Sequence, residues 1–317
     1  MDSSIVRPGS LIGGMLLVAG SCIGAGMLAL PILTGLAGFF PSLATLFFAW
    51  AGMTFTAFLL VEVNGWFSKR VNLLSMTEKT LGKAGRSTAW ISYLFLFYAL
   101  LVAYISASGS VFAGIFEAIF HVEISSAAAS CFFTALFGWI IYLDTRPVDM
   151  VNRFLMAGLI VTYFGMIGLG LFSIKPQYLL HWQPKSLLSS LSILVVSFGF
   201  HNLIPSLTSY MKGDLKKVRI TIFGGSLMVL AIYILWSLFV LGVVPYDGSD
   251  GILASYEEGG EATVALHAIL GSSSIGYFAQ GFAFFAITTS FLAQGLTLTH
   301  FLADGLILRW CAIRAAG

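Results

Sequence analysis

The chain has 317 residues, of which 58% are hydrophobic and only 9% are charged, and its formal net charge is +2. A soluble domain carries about 25% charged residues, so this composition excludes an ordinary soluble protein and predicts an integral membrane protein in a lipid bilayer. A positive excess this small gives no reason to expect a nucleic-acid partner.

Apolar stretches of membrane-spanning length occur eight times along the chain. A spanning helix needs about 20 mainly apolar residues, and the stretches lie at about 10–34, 39–67, 88–116, 125–143, 148–173, 186–210, 220–244 and 274–302. The first leads straight into further spans without a small-residue cleavage site, so we expect it to be retained rather than removed as a signal peptide. The sequence therefore predicts an all-α integral membrane protein with eight transmembrane helices in a single transmembrane domain, 1–317.

Lysine and arginine are distributed unequally between alternate loops. If the N-terminus is cytoplasmic, only Lys175 and Lys185 of the 16 basic residues fall outside, which leaves 14 in cytoplasmic segments. The positive-inside rule therefore predicts that both termini are cytoplasmic. The outer loop 246–273 is acidic and has no basic residue, so we expect a solvated cap with a short helix.

Spans one and six are interrupted in the same way. Span one reads LVAGSCIGAGMLALP and span six reads VVSFGFHNLIPSL, so in each an aliphatic run meets small or polar residues ahead of a proline. A proline inside a helix costs about 3 kcal/mol and a glycine about 1, so such breaks persist only where protein or a cavity satisfies the backbone. Paired breaks are typical of transporters built from inverted repeats, whose site lies where the two discontinuous helices meet.

Span six comes five spans after span one, an odd offset that gives the two breaks the opposite orientations that an inverted repeat requires. The first repeat is expected at about 10–173, and an incomplete second repeat at about 186–302. For span one, the alternative is helix packing without a ligand, because Gly20 and Gly24 form a face of small residues, as do Gly9 and Gly13. The matching break in span six favours the transporter interpretation.

Two ionisable residues lie well inside a predicted span, Glu62 in span two and His201 in the break of span six. Charged groups at this depth are costly and by default indicate a functional path. We expect Glu62 either to accept hydrogen bonds from free amides of a broken helix or to carry a proton. His201 is the natural proton-responsive group, and the alternative for it is a neutral ring that caps carbonyl groups in the break.

Spans three and eight carry further polar candidates. Span three has an aromatic stripe at helical spacing that includes Tyr104. Such stripes usually form core, but Tyr104 lies near mid-depth, and its hydroxyl suits the wall of a pocket. Span eight places Thr288, Thr289 and Ser290 in mid-membrane. Hydroxyl groups often bond to carbonyls of their own helix, and that local role is the alternative for these three residues.

Four segments, GGMLLVAGSCIGAGMLALPILT, FLLVEVNGWF, SFGFHNLIPSL and FLADGL, occur in this order along the chain. Together they resemble the aromatic amino acid permease family, the bacterial tryptophan and tyrosine permeases, within the amino acid-polyamine-organocation superfamily. The resemblance implies a five-plus-five inverted-repeat transporter fold with discontinuous helices 1 and 6, in the bacterial inner membrane. It also implies proton-coupled uptake of tyrosine or tryptophan.

By the same resemblance, backbone groups in the two breaks would hold the amino and carboxylate groups of the substrate. Its aromatic ring would face spans three, six and eight, where Tyr104 and Ser290 are candidates. The residues expected to bind the substrate in the breaks are Ser21, Cys22, Gly24, Ala25, Gly26, Ser197, Phe198, Gly199, Phe200, His201 and Asn202.

The chain departs from the family in its length. Family members have about eleven spans, ten of which form the repeat, whereas this chain stops eleven residues after FLADGL. We therefore expect the last helices of the second repeat to be missing, through a truncated or frameshifted reading frame. The alternative function is then a remnant of such a permease that does not transport.

The leading functional hypothesis is secondary active transport, for which no cofactor is expected. A proton is favoured as the coupling ion, and sodium is the alternative because Thr288 and Thr289 resemble hydroxyls that ligate sodium in relatives of this fold. The sequence does not separate tyrosine from tryptophan as the substrate. An intramembrane enzyme is disfavoured, because Ser197 and His201 come without a nucleophile turn or an oxyanion motif.

Overall fold

The structure is a computed structural model, and it describes residues 10–67, 73–143, 145–270 and 274–315. The side chains at 25, 118–119, 145–146, 300 and 303–315 lie outside the described part. Every regular element in the described ranges is helical. The α-helices there are α1 (Leu11–Cys22), α2 (Ala25–Gly35), α3 (Phe39–Gly65), α4 (Leu73–Phe120), α5 (Ser126–Leu143), α6 (Thr145–Gly170), α7 (Leu191–Ser197), α8 (Ile204–Tyr210), α9 (Leu215–Val243), α10 (Ile252–Glu257), α11 (Ala262–Leu270) and α12 (Ser274–Ala315).

Seven helical segments of the described chain are long and apolar enough to cross a membrane. The pair α1 and α2 passes the same test as one span bent by 62°, which brings the number to as many as eight. Helix α4 differs from the prediction, because it begins at Leu73, well before 88, and Gly82, with a φ of +72°, divides it. Residues 73–87 include Glu78, Lys79, Lys83 and Arg86, so the apolar stretch read from the sequence began only after them.

Contacts among the described residues divide the chain into two compact units. The first lies within Met1–Lys79 and Ile167–Gly276 and contains α1–α3, the first turns of α4, and α7–α11. The second lies within Thr80–Met166 and Tyr277–Gly317 and contains most of α4 and α6, together with α5 and most of α12. Each unit therefore combines helices from both halves of the chain.

Helix α9 forms the centre of the first unit, where α1, α2, α3 and α8 pack against it. Its residues Val229, Tyr233 and Trp236 are buried. Glycine permits a close approach to α1, since a Cβ added at Gly225 would lie 2.9 Å from the carbonyl oxygen of Met15. Small residues thus bring the backbones of α1 and α9 together, as membrane helices commonly do.

A chain of short 3-10 turns connects α6 to α7 and lies against the turn between α2 and α3. The amide of Gln183 donates a hydrogen bond of 2.9 Å to the carbonyl of Ala37. Gly38 has a φ of +96° and lies so close to the carbonyl of His181 that a Cβ has no room. Only glycine fits both the left-handed backbone and this contact, so Gly38 fixes where α3 begins.

The acidic outer loop contains two short helices, α10 and α11, which pack against α2. Asp247, Asp250, Glu257 and Glu258 are exposed, as expected of a solvated cap. Glu261 is different, because its Oε2 is buried and has no hydrogen-bond partner. Burial raises the pKa of the Glu261 carboxyl to about 7.

Aromatic rings fill the core of the second unit. The ring of Phe133 lies 5.1 Å from that of Phe112 and 4.9 Å from that of Phe291, measured between ring centroids. The stripe predicted on span three runs through Tyr93, Phe97, Leu100, Tyr104 and Ser108, and Phe97, Tyr104 and Ser108 are buried in the same unit. The 3.6-residue period therefore identified the inward face of α4 correctly.

Candidate substrate site at two broken helices

The first break separates α1 from α2 at Ile23 and Gly24, both of which have extended backbone. The Ile23 amide still bonds to the carbonyl of Ala19 at 2.9 Å, and the Met27 amide bonds to the carbonyl of Gly24 at 3.0 Å. No side chain caps α2 at Gly24. The amides in the first turn of α2 thus lie at the positive end of the helix dipole, and no side chain of the cap residue accepts a hydrogen bond from them.

Pro31 lies inside α2 and removes a donor that the helix would otherwise have. The carbonyl that loses its partner is that of Met27, four residues earlier. Trp236 Nε1 of α9 donates a hydrogen bond of 2.8 Å to that oxygen. The neighbouring helix therefore satisfies the backbone group that proline leaves open.

The second break separates α7 from α8 at Phe198 and Gly199, and one 3-10 turn, Phe200–Leu203, follows it. A Cβ added at Gly199 would lie 2.8 Å from the carbonyl oxygen of Val196, so the backbone leaves no space for a side chain there. Pro205 falls in the first turn of α8, where its missing amide costs least. The predicted break in span six is therefore confirmed.

The two breaks lie beside each other in the first unit, and Tyr233 joins them. Its hydroxyl donates towards the carbonyl of Cys22 at 2.7 Å and towards the carbonyl of Ser197 at 2.9 Å. Cys22 ends α1 and Ser197 ends α7. One fully buried side chain thus bridges the carbonyl ends of both half-helices.

Ser197 and Gly26 face each other across the breaks. A Cβ added at Gly26 would lie 3.6 Å from Ser197 Oγ. Ser197 is 2% exposed, and its hydroxyl has no hydrogen-bond partner. Burial of a hydroxyl without a partner costs free energy, so this group is available for a ligand.

His201 contacts α3, the helix of span two. Its Nε2 lies 2.9 Å from Thr56 Oγ1 of α3, and its ring also bonds to the backbone of Met53. The ring stacks on Phe200, with 5.3 Å between the ring centroids. A hydroxyl can donate or accept and a carbonyl can accept, so these partners suit both the neutral and the protonated ring.

The remaining predicted residues of the breaks differ in exposure. Ser21 is exposed and donates to the carbonyl of Val18 at 2.8 Å, whereas Cys22 is buried. Asn202 is half-buried, and Phe198 and Phe200 are fully buried. The side chain of Ala25 lies outside the described residues.

The candidates from spans three and eight belong to the second unit. Tyr104 is buried and hydrogen-bonds with Ser290, so two predicted substrate residues lie together there. The hydroxyls of Thr288 and Thr289 donate to carbonyls of their own helix, at 2.7 Å to Phe284 and 2.8 Å to Phe285. Their contribution to a substrate or ion site stays a prediction.

Glu62 lies near the C-terminal end of α3 and is not buried. Its Oε2 is 3.5 Å from Arg219 Nη2 of α9, and the two side chains are 62% and 47% exposed, respectively. The structure therefore corrects the expectation of a buried carboxylate at a helix break. The physical reason is that α3 ends at Gly65, only three residues later, where Arg219 is available as a partner. The role of Glu62 in proton coupling stays a prediction.

Sequence reasoning missed Tyr233 and Trp236, the two side chains that donate hydrogen bonds to backbone carbonyls of the interrupted helices. A signal was present in the segment AIYILWSL, because a Tyr and a Trp in mid-span need hydrogen-bond partners when they are buried. Their spacing of three places them on one face of α9. Among the described residues, no three His, Cys, Asp or Glu side chains lie close enough to hold a metal ion.

Comparison with known proteins identifies relatives over most of the chain. The profile of the tryptophan/tyrosine permease family matches residues 7–311. A tryptophan-specific transport protein of Shigella flexneri is 33% identical over 304 residues, which cover 93% of this chain and 72% of the relative. The tyrosine-specific transport system 1 of Haemophilus influenzae is 35% identical over 295 residues, which cover 92% of this chain and 73% of the relative.

A more distant relative is the low affinity tryptophan permease of Escherichia coli K12, 27% identical over 322 residues that cover 96% of this chain and 75% of the relative. The family and these relatives are transporters, not enzymes. The resemblance inferred from the four sequence segments is thereby confirmed: this chain belongs to the tryptophan/tyrosine permease family.

Proposed function

We propose that the chain imports an aromatic amino acid, tyrosine or tryptophan, across the bacterial inner membrane by symport with a proton. The observation that carries the proposal is the meeting of two helix breaks at Tyr233, whose hydroxyl contacts the carbonyls of Cys22 and Ser197. The names of the relatives, tryptophan-specific and tyrosine-specific transport proteins, support an aromatic substrate. Both termini are proposed to be cytoplasmic, on the positive-inside distribution.

The composition of the two units supports a five-plus-five inverted repeat. In such a repeat, span six corresponds to span one, span seven to span two, and span eight to span three. The first unit contains spans one, two, six and seven, and the second contains spans three, four, five and eight. Each unit thus contains corresponding spans of both halves, as expected if the halves share one fold.

The zwitterionic part of the substrate is proposed to bind at the breaks. Uncapped helix starts at Gly24 and Gly199 present amides, which favour a carboxylate. The carbonyl ends at Cys22 and Ser197 favour an ammonium group. The free hydroxyl of Ser197 adds one donor or acceptor at the same place.

His201 is the proposed proton carrier, because both protonation states of its ring find partners in Thr56 and Met53. Glu62 is the second candidate, and its exposed pairing with Arg219 makes it the weaker one. One proton moving inward is worth about 2.3 kcal/mol per 100 mV, and a tenfold solute gradient costs about 1.4 kcal/mol. One proton could therefore sustain roughly a 40-fold accumulation of a neutral zwitterion at that potential.

Uptake of labelled tyrosine and tryptophan into proteoliposomes that contain the purified chain tests this proposal. We expect accumulation that follows an imposed proton gradient, that an uncoupler abolishes, and that the unlabelled aromatic amino acids compete for. Accumulation that survives the uncoupler contradicts proton symport. A requirement for sodium would instead assign coupling to an ion site that includes Thr288 and Thr289, and absence of uptake in every arm would favour the non-transporting alternative.

A further inference from the structure

The carbonyl ends of two half-helices converge on one side chain of α9. The hydroxyl of Tyr233 lies 2.7 Å from the carbonyl oxygen of Cys22 and 2.9 Å from that of Ser197. Carbonyl groups in the last turn of a helix lack partners within the helix and carry the negative end of its dipole. Two ends of like sign therefore face each other, with a hydroxyl proton between them.

One hydroxyl proton is too few for the acceptors that surround it. Each carbonyl oxygen has two lone pairs, so the two oxygens offer four acceptor positions. The nearby Ser197 hydroxyl also has no hydrogen-bond partner, and Gly26 leaves the space beside it free of a side chain. The chemical group that suits such a cluster is a cation with several N–H donors, and a primary ammonium has three.

We propose that Tyr233 is the positioning residue for the ammonium group of the substrate. Its hydroxyl holds the carbonyl oxygens of Cys22 and Ser197 within reach of a single ammonium. The inference rests on the proposed function, because the ligand is the amino acid proposed there. Packing fixes the ring for this task, since Tyr233 is fully buried and meets Phe198 edge-to-face at 5.3 Å between centroids.

A structural role and a positioning role for Tyr233 predict different losses when the hydroxyl is removed. A structural role weakens the binding of every ligand alike, because the whole site becomes less ordered. A positioning role weakens only ligands that carry an ammonium, because without the hydroxyl the two carbonyl ends repel and the ammonium must bring them together. Binding of L-tyrosine and L-tryptophan is therefore compared with that of 3-(4-hydroxyphenyl)propionate and indole-3-propionate, which keep the ring and the carboxylate but lack the amino group.

The test measures the affinity of the purified chain for these four compounds in wild type, Tyr233→Phe and Tyr246→Phe. Tyr246 is the matched control, because it also has a hydrogen-bonded hydroxyl but lies in the outer loop. That hydroxyl is 3.3 Å from Gln183 Oε1. We expect Tyr233→Phe to bind both amino acids about tenfold or more weakly and to keep its affinity for the analogues. Tyr246→Phe should change neither.

Three outcomes count against different claims. Equal losses for amino acids and analogues in Tyr233→Phe, or no loss at all, would overturn the positioning role while the proposed function stands. Failure of the wild type to bind either amino acid would overturn the proposed function itself. If Tyr233→Phe is not recovered as a monodisperse protein, Tyr233→His replaces it. The ring N–H of this histidine still donates, but from a shorter side chain, so the ratio of the affinity for the amino acids to that for the analogues should fall. An unchanged ratio would also overturn the inference.

Discussion

The indole Nε1 of Trp236 donates a hydrogen bond of 2.8 Å to the carbonyl oxygen of Met27. In a regular helix that oxygen would accept from the amide of residue 31, which is a proline. Trp236 thus supplies from α9 the donor that Pro31 removes from α2. This exchange of partners explains how proline persists inside a membrane helix, where an unsatisfied backbone group is costly.

Trp236→Phe should therefore destabilise the chain more when residue 31 is proline than when it is alanine. Loss of the indole donor leaves the buried Met27 carbonyl unsatisfied, at a cost of about 1 to 3 kcal/mol beyond the lost packing. Pro31→Ala restores an amide to α2 and removes that part of the cost. Thermal unfolding of the four proteins of this double-mutant cycle in detergent provides the measurement. Equal losses of Tm in both backgrounds would contradict the exchange of partners.

Glycines at the two breaks should respond differently to alanine. Gly26→Ala places a methyl group 3.6 Å from Ser197 Oγ, an ordinary contact, so the fold should tolerate it. The same methyl covers the free hydroxyl, and we expect KM for the aromatic amino acid to rise by about tenfold, as for the loss of one hydrogen bond. Gly199→Ala forces a Cβ to 2.8 Å from the Val196 carbonyl, so it should lower Tm and transport together.

Gly52→Ala is the control for both substitutions, because a Cβ at Gly52 meets nothing within 4 Å. It should leave transport unchanged and raise helix stability by up to about 1 kcal/mol. Measurements of Tm and of KM on the three variants separate the effects on folding and on binding. A normal KM in Gly26→Ala would remove the Gly26 and Ser197 surface from the substrate site.

The breaks could be predicted from the sequence because their signal is local. Gly, polar residues and Pro within an apolar run are unfavourable in a plain membrane helix, so the same combination in spans one and six together indicates interrupted spans. The partners that make the breaks stable could not be predicted. Which helix approaches them depends on packing, and Tyr233 and Trp236 look like ordinary members of an apolar span until α9 is placed against α1 and α2.

Glu62 illustrates the opposite error, in which position within an apolar run was interpreted as depth. The run continues to Phe67, but the helix ends at Gly65, and Arg219 of α9 meets the carboxylate at 3.5 Å near that end. A single sequence does not state where a neighbouring helix begins. Contacts between helices, rather than hydropathy, therefore decide whether such a carboxylate is buried.

Two serines of α9 should respond in opposite ways to alanine. Ser226 is buried, and its hydroxyl is 3.1 Å from Trp50 Nε1 and 3.2 Å from Thr54 Oγ1 of α3. Ser226→Ala leaves the indole donor without this partner and should destabilise the chain by about 1 to 3 kcal/mol. Ser237 is equally buried, but its hydroxyl has no partner, so Ser237→Ala should leave Tm unchanged or raise it. A comparable fall of Tm in both variants would contradict this assignment of hydrogen bonds.

Glu261 should make the stability of the outer loop depend on pH. Burial raises the pKa of its carboxyl from an ordinary 4.5 to about 7, so the folded chain keeps a proton that the unfolded chain releases within that window. The stabilisation is fully present below about pH 4.5 and is lost as the pH rises through about 7. The Tm of the wild type should therefore fall as the pH rises from about 5 to about 8, because the folded chain loses the proton of the Glu261 carboxyl in this range.

Glu261→Gln keeps the shape and removes the titration, so its Tm should lack this part of the fall. Glu258→Gln is the matched control, because Glu258 is an exposed carboxylate of the same loop. It should retain the pH profile of the wild type. A Glu261→Gln variant whose Tm falls with pH as steeply as that of the wild type would show that another group titrates in this range.

His201 should be needed for accumulation but not for exchange. Concentrative uptake requires a group that takes up a proton outside and releases it inside, whereas exchange of labelled for unlabelled substrate needs no net proton movement. His201→Ala should therefore abolish accumulation under an imposed proton gradient while counterflow in preloaded proteoliposomes persists.

Thr56→Val removes only the hydroxyl 2.9 Å from Nε2 of His201, so it should lower the rate of accumulation severalfold without abolishing it. Glu62→Gln, in contrast, alters an exposed ion pair with Arg219 and should accumulate substrate normally. If accumulation survives in His201→Ala but is lost in Glu62→Gln, the proton travels by way of Glu62 instead.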